Sequence, residues 1–157
     1  MLKRISRFPV KGLSAEDLPE IEVASGRGLS NDRTFALALG DTDFDEANPR
    51  PIPKTKFAVL ARFARLAALQ TAFDIPTSTP SLLHAGSVLA GGCLETTSDR
   101  ETVEKAIDEF MGGDLKGRPR VVKGNGHRFT DVSIHSPVLM EAVSLINLST
   151  VRELEFG

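Results

Sequence analysis

The chain has 157 residues, 41% hydrophobic and 25% charged, with 19 basic and 21 acidic side chains and a formal charge of −2. This is the size and make-up of about one ordinary soluble domain, large enough to bury a core without staples. A single cysteine excludes an intramolecular disulfide and a Cys-only zinc site, and the near-neutral charge argues against a polyanion binder, so no nucleic-acid partner is expected.

No apolar run reaches the roughly 18 residues of a bilayer span, so no membrane partner is expected. The first residues carry positive charge without an apolar stretch behind it, unlike a signal peptide. A reducing, cytoplasmic setting is the expectation.

The first half reads as β structure broken by turns. Residues 2–10 form a first predicted strand with Ile5 and Phe8 as core candidates, stopped by Pro9. Residues 18–24 alternate as a second strand, with Ile21 and Val23 on one face, and Ser25-Gly26-Arg27-Gly28 marks a turn. Residues 34–39 place Phe35, Leu37 and Leu39 on the buried face of a third. Residues 40–56 form a long polar loop whose three prolines forbid a regular ladder. A loop of that length is expected to be functional or mobile. A short helical turn follows Phe57, then a strand over about residues 65–74, then a hairpin of residues 81–85 and 88–94 around Ala85-Gly86-Ser87.

The clearest element is a helix over residues 99–111. Ser98-Asp99-Arg100-Glu101 reads as a capping box, Val103, Ile107, Phe110 and Met111 form the apolar face, and Gly112-Gly113 stops it. Glu101 and Lys105 are expected to pair at i, i+4. A linker over 114–120, Val121-Val122, a Gly124-Asn125-Gly126 turn, an apolar strand over 136–146 and a helix over 148–156 complete the reading.

Several chemical motifs fall short. Asp41-Thr42-Asp43-Phe44-Asp45-Glu46 opens like a calcium loop, but the sixth position is Glu46 and the twelfth Ile52, so a solvated acidic loop is expected. His84, His127 and His135 lack the spacing of a helical metal pair and read as surface or structural histidines. Cys93 reads as a buried structural cysteine; the alternative is a thiolate activated by the following helix N-terminus. No nucleophile elbow and no phosphate-cradling glycine loop is present. What remains is two cations beside glycines at strand ends, Lys11 in Phe8-Pro9-Val10-Lys11-Gly12-Leu13 and Arg33 in Gly28-Leu29-Ser30-Asn31-Asp32-Arg33. Brought together by an antiparallel sheet, they would make a small anion site; apart, they are ordinary surface cations.

Those two motifs resemble the opening of proteins with the MOSC domain, the carboxy-terminal domain of molybdenum cofactor sulfurases. Pro53-Lys54-Thr55-Lys56-Phe57, Leu66-Ala67-Ala68-Leu69, Phe129-Thr130-Asp131, Val143-Ser144-Leu145-Ile146-Asn147-Leu148 and Val151-Arg152-Glu153-Leu154 continue the likeness over residues 5–156. The resemblance implies an α+β, mainly β fold: a β-barrel-like amino-terminal domain over 1–118 with one well-capped helix, then over 119–157 a linker and the first strand and helix of an incomplete MOSC domain. It implies binding of a molybdenum cofactor (molybdopterin) for sulfur transfer or reduction, with pyridoxal phosphate binding and sulfur carriage among the family's associations. Lys11 and Arg33 match the positions that contact the cofactor's phosphate and pterin; Asp131 and Ser144 match polar positions near it. The family's reactive cysteine lies beyond Gly157, and Cys93 does not match it, so no catalytic residue and no metal ligand is assigned, and a truncated, inactive piece is the expectation. Gly12 stands where some relatives have serine. Implied partners are the cofactor and a redox or sulfur-donor protein, with dimerisation through the carboxy-terminal strand. The alternative is a non-catalytic β-barrel module that binds a protein or a small anion.

Overall fold

Proline and glycine set the first break in the chain. The computed structural model describes residues 3–23, 29–74 and 76–130. The predicted first strand is two: β1 (Ile5–Arg7) and β2 (Val10–Lys11), parted at Pro9, which has no N–H to give a ladder. They join different sheets. β1 pairs antiparallel with β3 (Glu16–Leu18), and β2 pairs parallel with β4 (Phe35–Ala38). The expected core residues Ile5 and Phe8 are only half-buried; Val10, Leu13 and the side chain of Arg7 are buried instead. β3 also lies earlier than the alternation of residues 18–24 suggests, and Val23 is 71% exposed. The predicted turn over 25–28 lies outside the described residues.

β4 is the central strand of its sheet, between β2 and the antiparallel β8 (Arg120–Lys123). One buried face was expected, and both are buried. Phe35, Leu37 and Leu39 enter the main core with Val10, Leu13, Leu66, Leu69, Leu82, Leu94, Ile107 and Met111. Ala36 and Ala38 enter a second cluster with Phe57, Val122 and Phe129, their small side chains leaving room for rings. β8 alternates likewise, with Val121 in the first cluster and Val122 in the second. Residues beyond 118 therefore complete the sheet begun by residue 10.

A third sheet holds β5 (Gln70–Asp74), β6 (Thr79–His84) and β7 (Ser87–Gly91) in that order. β5 starts later than expected because Ala64–Ala68 forms a 3₁₀ turn. The β6–β7 hairpin is closed by Ala85 and Gly86, both at positive φ (50° and 80°), the pattern of a type I′ turn.

The helix α1 (Thr97–Met111) lies on the main core through Val103, Ile107 and Met111. Its N-cap is Thr96, and Ser98 sits inside the first turn, so the expected capping box does not form. Asp99 reaches back instead: its Oδ2 accepts the Cys93 N–H at 2.9 Å. Lys105 pairs with Glu109 in place of the expected Glu101. Gly112 ends the helix in the left-handed region at φ 59°, its N–H donating to the Asp108 carbonyl.

The described chain is thus mainly β with one α-helix, in three separate sheets without a closed barrel. Among the described residues, no helix is long and apolar enough to cross a membrane. The predicted strand over 136–146 and helix over 148–156 lie outside the described residues.

Candidate functional site

The Asp-Arg motif folds as a clamp on the end of the first strand. The Asp32 N–H donates to the Leu29 carbonyl at 3.1 Å, and Asn31 and Arg33 take left-handed φ values of 58° and 48°. This turn points two groups at Phe8. Asp32 Oδ1 accepts the Phe8 N–H at 2.8 Å, and the Arg33 N–H donates to the Phe8 carbonyl at 2.6 Å. Asp32 is buried, with its carboxylate committed to the backbone. The Arg33 guanidinium is left to lie over the Phe8 ring, 5.7 Å from its centroid and 3.8 Å from Asp32 Oδ2.

Lys11 ends β2 opposite Ala36. Its ammonium sits 5.5 Å from the centroid of Phe57, a cation–π contact worth about 0.5–1 kcal/mol when exposed. Directly after it the chain turns at Gly12, with φ 102°, where an added Cβ would collide with the Ala58 carbonyl oxygen. A serine hydroxyl at this position is sterically excluded by this backbone.

The two cations are therefore on neighbouring strands, but the expected antiparallel pairing is parallel. Arg33 pairs back to Phe8, three residues before Lys11, which separates their backbones by about 10 Å along the sheet at a rise near 3.3 Å per residue. The gap is bridged by residues 124–129. Gly124 N–H donates to the Thr34 carbonyl at 2.9 Å, Phe129 N–H to the Arg33 carbonyl at 3.2 Å, and Arg128 Nη1 to the Asp32 carbonyl at 2.6 Å and Thr34 Oγ1 at 3.1 Å. His127 stands edge-on to Phe129, centroids 5.2 Å apart, and Phe129 packs edge-on to Phe57 at 5.4 Å. Burial, then the nearby Lys11 ammonium, hold the His127 pKa below its ordinary 6.5. The rim so formed carries the cations Lys11, Arg128 and Arg33, with the imidazole of His127 beside Lys11 kept uncharged at neutral pH.

Sequence reasoning found Lys11 and Arg33 and missed His127 and Arg128. The signal was present: Gly124-Asn125-Gly126-His127-Arg128 places basic residues beside glycines at a strand end, the same pattern that singled out the other two. Asp131 and Ser144 lie outside the described residues, as does His135.

The remaining motifs have structural roles. The 40–56 loop is pinned: Glu46 Oε1 accepts Arg100 Nη1 at 2.6 Å and the Lys123 N–H at 2.8 Å, and Asn125 Nδ2 donates to the Glu46 carbonyl at 2.8 Å. Among the described residues, no group of three or more His, Cys, Asp or Glu is placed to hold a metal ion. Cys93 lies past the end of β7 and is half-exposed, in contrast to the buried cysteine expected. His84 stacks edge-on to Phe110 at 4.9 Å.

The arrangement defines a mainly β protein with a cationic rim at one end of its central sheet, chemistry suited to a phosphate-sized anion. Compared with known proteins, the chain matches no family model, no curated protein and no solved structure.

Proposed function

We propose that the chain is the amino-terminal part of a MOSC-family protein, its sheets a barrel-like domain working in the cytoplasm, and that its cationic rim holds the phosphate of a molybdenum-pterin cofactor. The observation that carries this reading is the stitching of Lys11, Arg33, His127 and Arg128 around the β2–β4 strand ends. The donor set fits the group. Arginine offers a planar fork for phosphate oxygens, and lysine a point charge. Asp32, the acidic member of the motif, turns its carboxylate onto the Phe8 amide, which lessens its repulsion of an incoming anion. When bound, the cofactor would supply the redox or sulfur chemistry. The residues of this chain would bind and orient it. His127 would gain a proton more readily beside the bound phosphate, since an anion favours imidazolium.

Calorimetric titration with pyrophosphate and with a pterin phosphate tests the reading. Pterin phosphate should bind more tightly than pyrophosphate, and Lys11→Ala and Arg33→Ala should each weaken it about tenfold, equivalent to roughly 1.4 kcal/mol. Equal affinity for the two ligands, with both variants still weakened, would leave a simple anion-binding module instead. Unchanged affinity in both variants would sink the site altogether.

A further inference from the structure

A second polar site lies between α1 and the start of β8. Gly40, Gly117, Arg118 and Arg120 wall one side of an open cleft of about 350 Å³, and Glu101 and Glu104 the other. This volume is at the small end of ligand pockets, which run from about 300 to 1,000 Å³. None of these residues belongs to the cationic rim.

Glu104 is the unusual member. It is a helix carboxylate only 8% exposed, and residues of this type are rarely so buried without a charge partner. One oxygen, Oε1, accepts the Val121 N–H at 2.7 Å. Among the described residues, the other accepts no hydrogen bond from a protein group and is open to water in the cleft. Burial pushes the Glu104 pKa above its ordinary value of 4.5, against the Val121 hydrogen bond and the charges of Arg118 and Arg120, which pull it down. The negative charge of Glu101 pushes it the same way as burial.

The arginines are aimed but not neutralised. Arg118 Nη2 donates to the Glu101 carbonyl at 3.2 Å, and Arg120 Nη2 to the Thr42 carbonyl at 3.0 Å. Each guanidinium is tethered by one bond, and the rest of each fork is left for a ligand. None of the four charged groups forms an ion pair with another among the described residues. The cleft thus presents two positive and two negative groups, summing to zero: Glu101 and Glu104 on α1, Arg120 at the start of β8 and Arg118 on the exposed loop before it, none in an ion pair with another.

We propose that this cleft binds a small zwitterion, a molecule carrying both an ammonium and a carboxylate, of the size of a free amino acid. Its ammonium meets Glu104 and Glu101; its carboxylate meets Arg118 and Arg120. A simple anion would face the two glutamates, and a simple cation the two arginines, so the zero sum selects against both. A ligand ammonium would replace water on the second Glu104 oxygen with a charge-assisted hydrogen bond.

Calorimetric titration of the whole chain with glycine, β-alanine and 4-aminobutyrate tests this, with butyrate and butylammonium as single-charge controls. At least one of the three zwitterions should bind about tenfold or more tighter than either control, a difference of roughly 1.4 kcal/mol. Glu104→Gln, which keeps an acceptor for the Val121 N–H, should weaken that binding about tenfold, as should Arg118→Gln on the exposed loop. The Glu104 carboxyl, followed by NMR, should titrate at lower pH in the complex. The proposal is overturned if no zwitterion binds, if butyrate or butylammonium binds as well, or if Arg118→Gln leaves affinity unchanged in a folded protein. Because the rim residues are untouched, the outcome is separate from that of the pyrophosphate titration.

Discussion

Two arginine–carboxylate pairs flank the β1–β3 ladder, one from the residue just before β1 and one within it, and have opposite surroundings. Arg4 and Asp17 meet at 2.8 Å with side chains 65% and 60% exposed. Arg7 and Glu16 meet with side chains 2% and 11% exposed. The exposed pair is hydrated and screened. The buried pair has lost its water and replaced it with hydrogen bonds. Arg7 Nε donates to Glu16 Oε1 at 2.7 Å, Arg7 Nη1 to the Ser30 carbonyl at 2.9 Å, and the Phe73 N–H to Glu16 Oε2 at 3.2 Å. Through those contacts it ties β1 and β3 to β5 and to the turn that carries Arg33. The same chemistry is a surface decoration in one place and a girder in the other, and burial makes the difference.

The largest expected effect comes from breaking the girder on one side. Glu16→Ala leaves a buried guanidinium uncompensated, and urea unfolding should show a loss of about 3–5 kcal/mol. The double variant Arg7→Leu/Glu16→Leu removes both charges and should recover much of that loss, because similar-sized apolar groups often replace a buried pair with little change. Its pyrophosphate affinity should stay reduced, since nothing then holds the Ser30 carbonyl.

Two intermediate effects are read against pH. The His127 pKa is lowered in the folded chain. The unfolded state therefore takes up a proton first as pH falls below about 6.5, and the fold loses stability from there downward. His127→Gln should flatten that segment of the stability curve. In the wild type, pyrophosphate should bind more tightly as pH drops through the same window. The Glu104 pKa is raised, so the sign reverses. The folded state holds its proton longer, and stability falls as pH climbs above 4.5. Thermal unfolding of Glu104→Gln should show that slope removed. The smallest effect belongs to the exposed pair: Arg4→Ala should cost no more than about 1 kcal/mol.

Much of the local structure was legible. The Ala85-Gly86 turn, the Gly112 helix stop and the helix face of Val103, Ile107 and Met111 all followed from residue type and period. The end of α1 that failed is instructive. Ser98 and Glu101 have capping-box spacing, but Asp99 can reach the Cys93 amide, and that bond moves the start of the helix back to Thr96. Of the candidate site, Lys11 and Arg33 were legible as cations beside glycines. His127 and Arg128 carried the same local signal, but the Asp32 clamp and the bridge those two residues build were not legible, because each depends on contacts across 24 residues or more.

By itself, the sequence determined where this chain turns, which stretch is its helix, and that its core is aliphatic and phenylalanine-based. Those properties rest on φ preferences and side-chain periodicity, which act within a few residues. The tertiary structure alone decided that β2 runs parallel to β4, that both faces of β4 are buried, and that one arginine of a β-ladder is a girder and its neighbour a surface charge. Those outcomes depend on which distant segments exclude water from one another, and no local pattern encodes that choice.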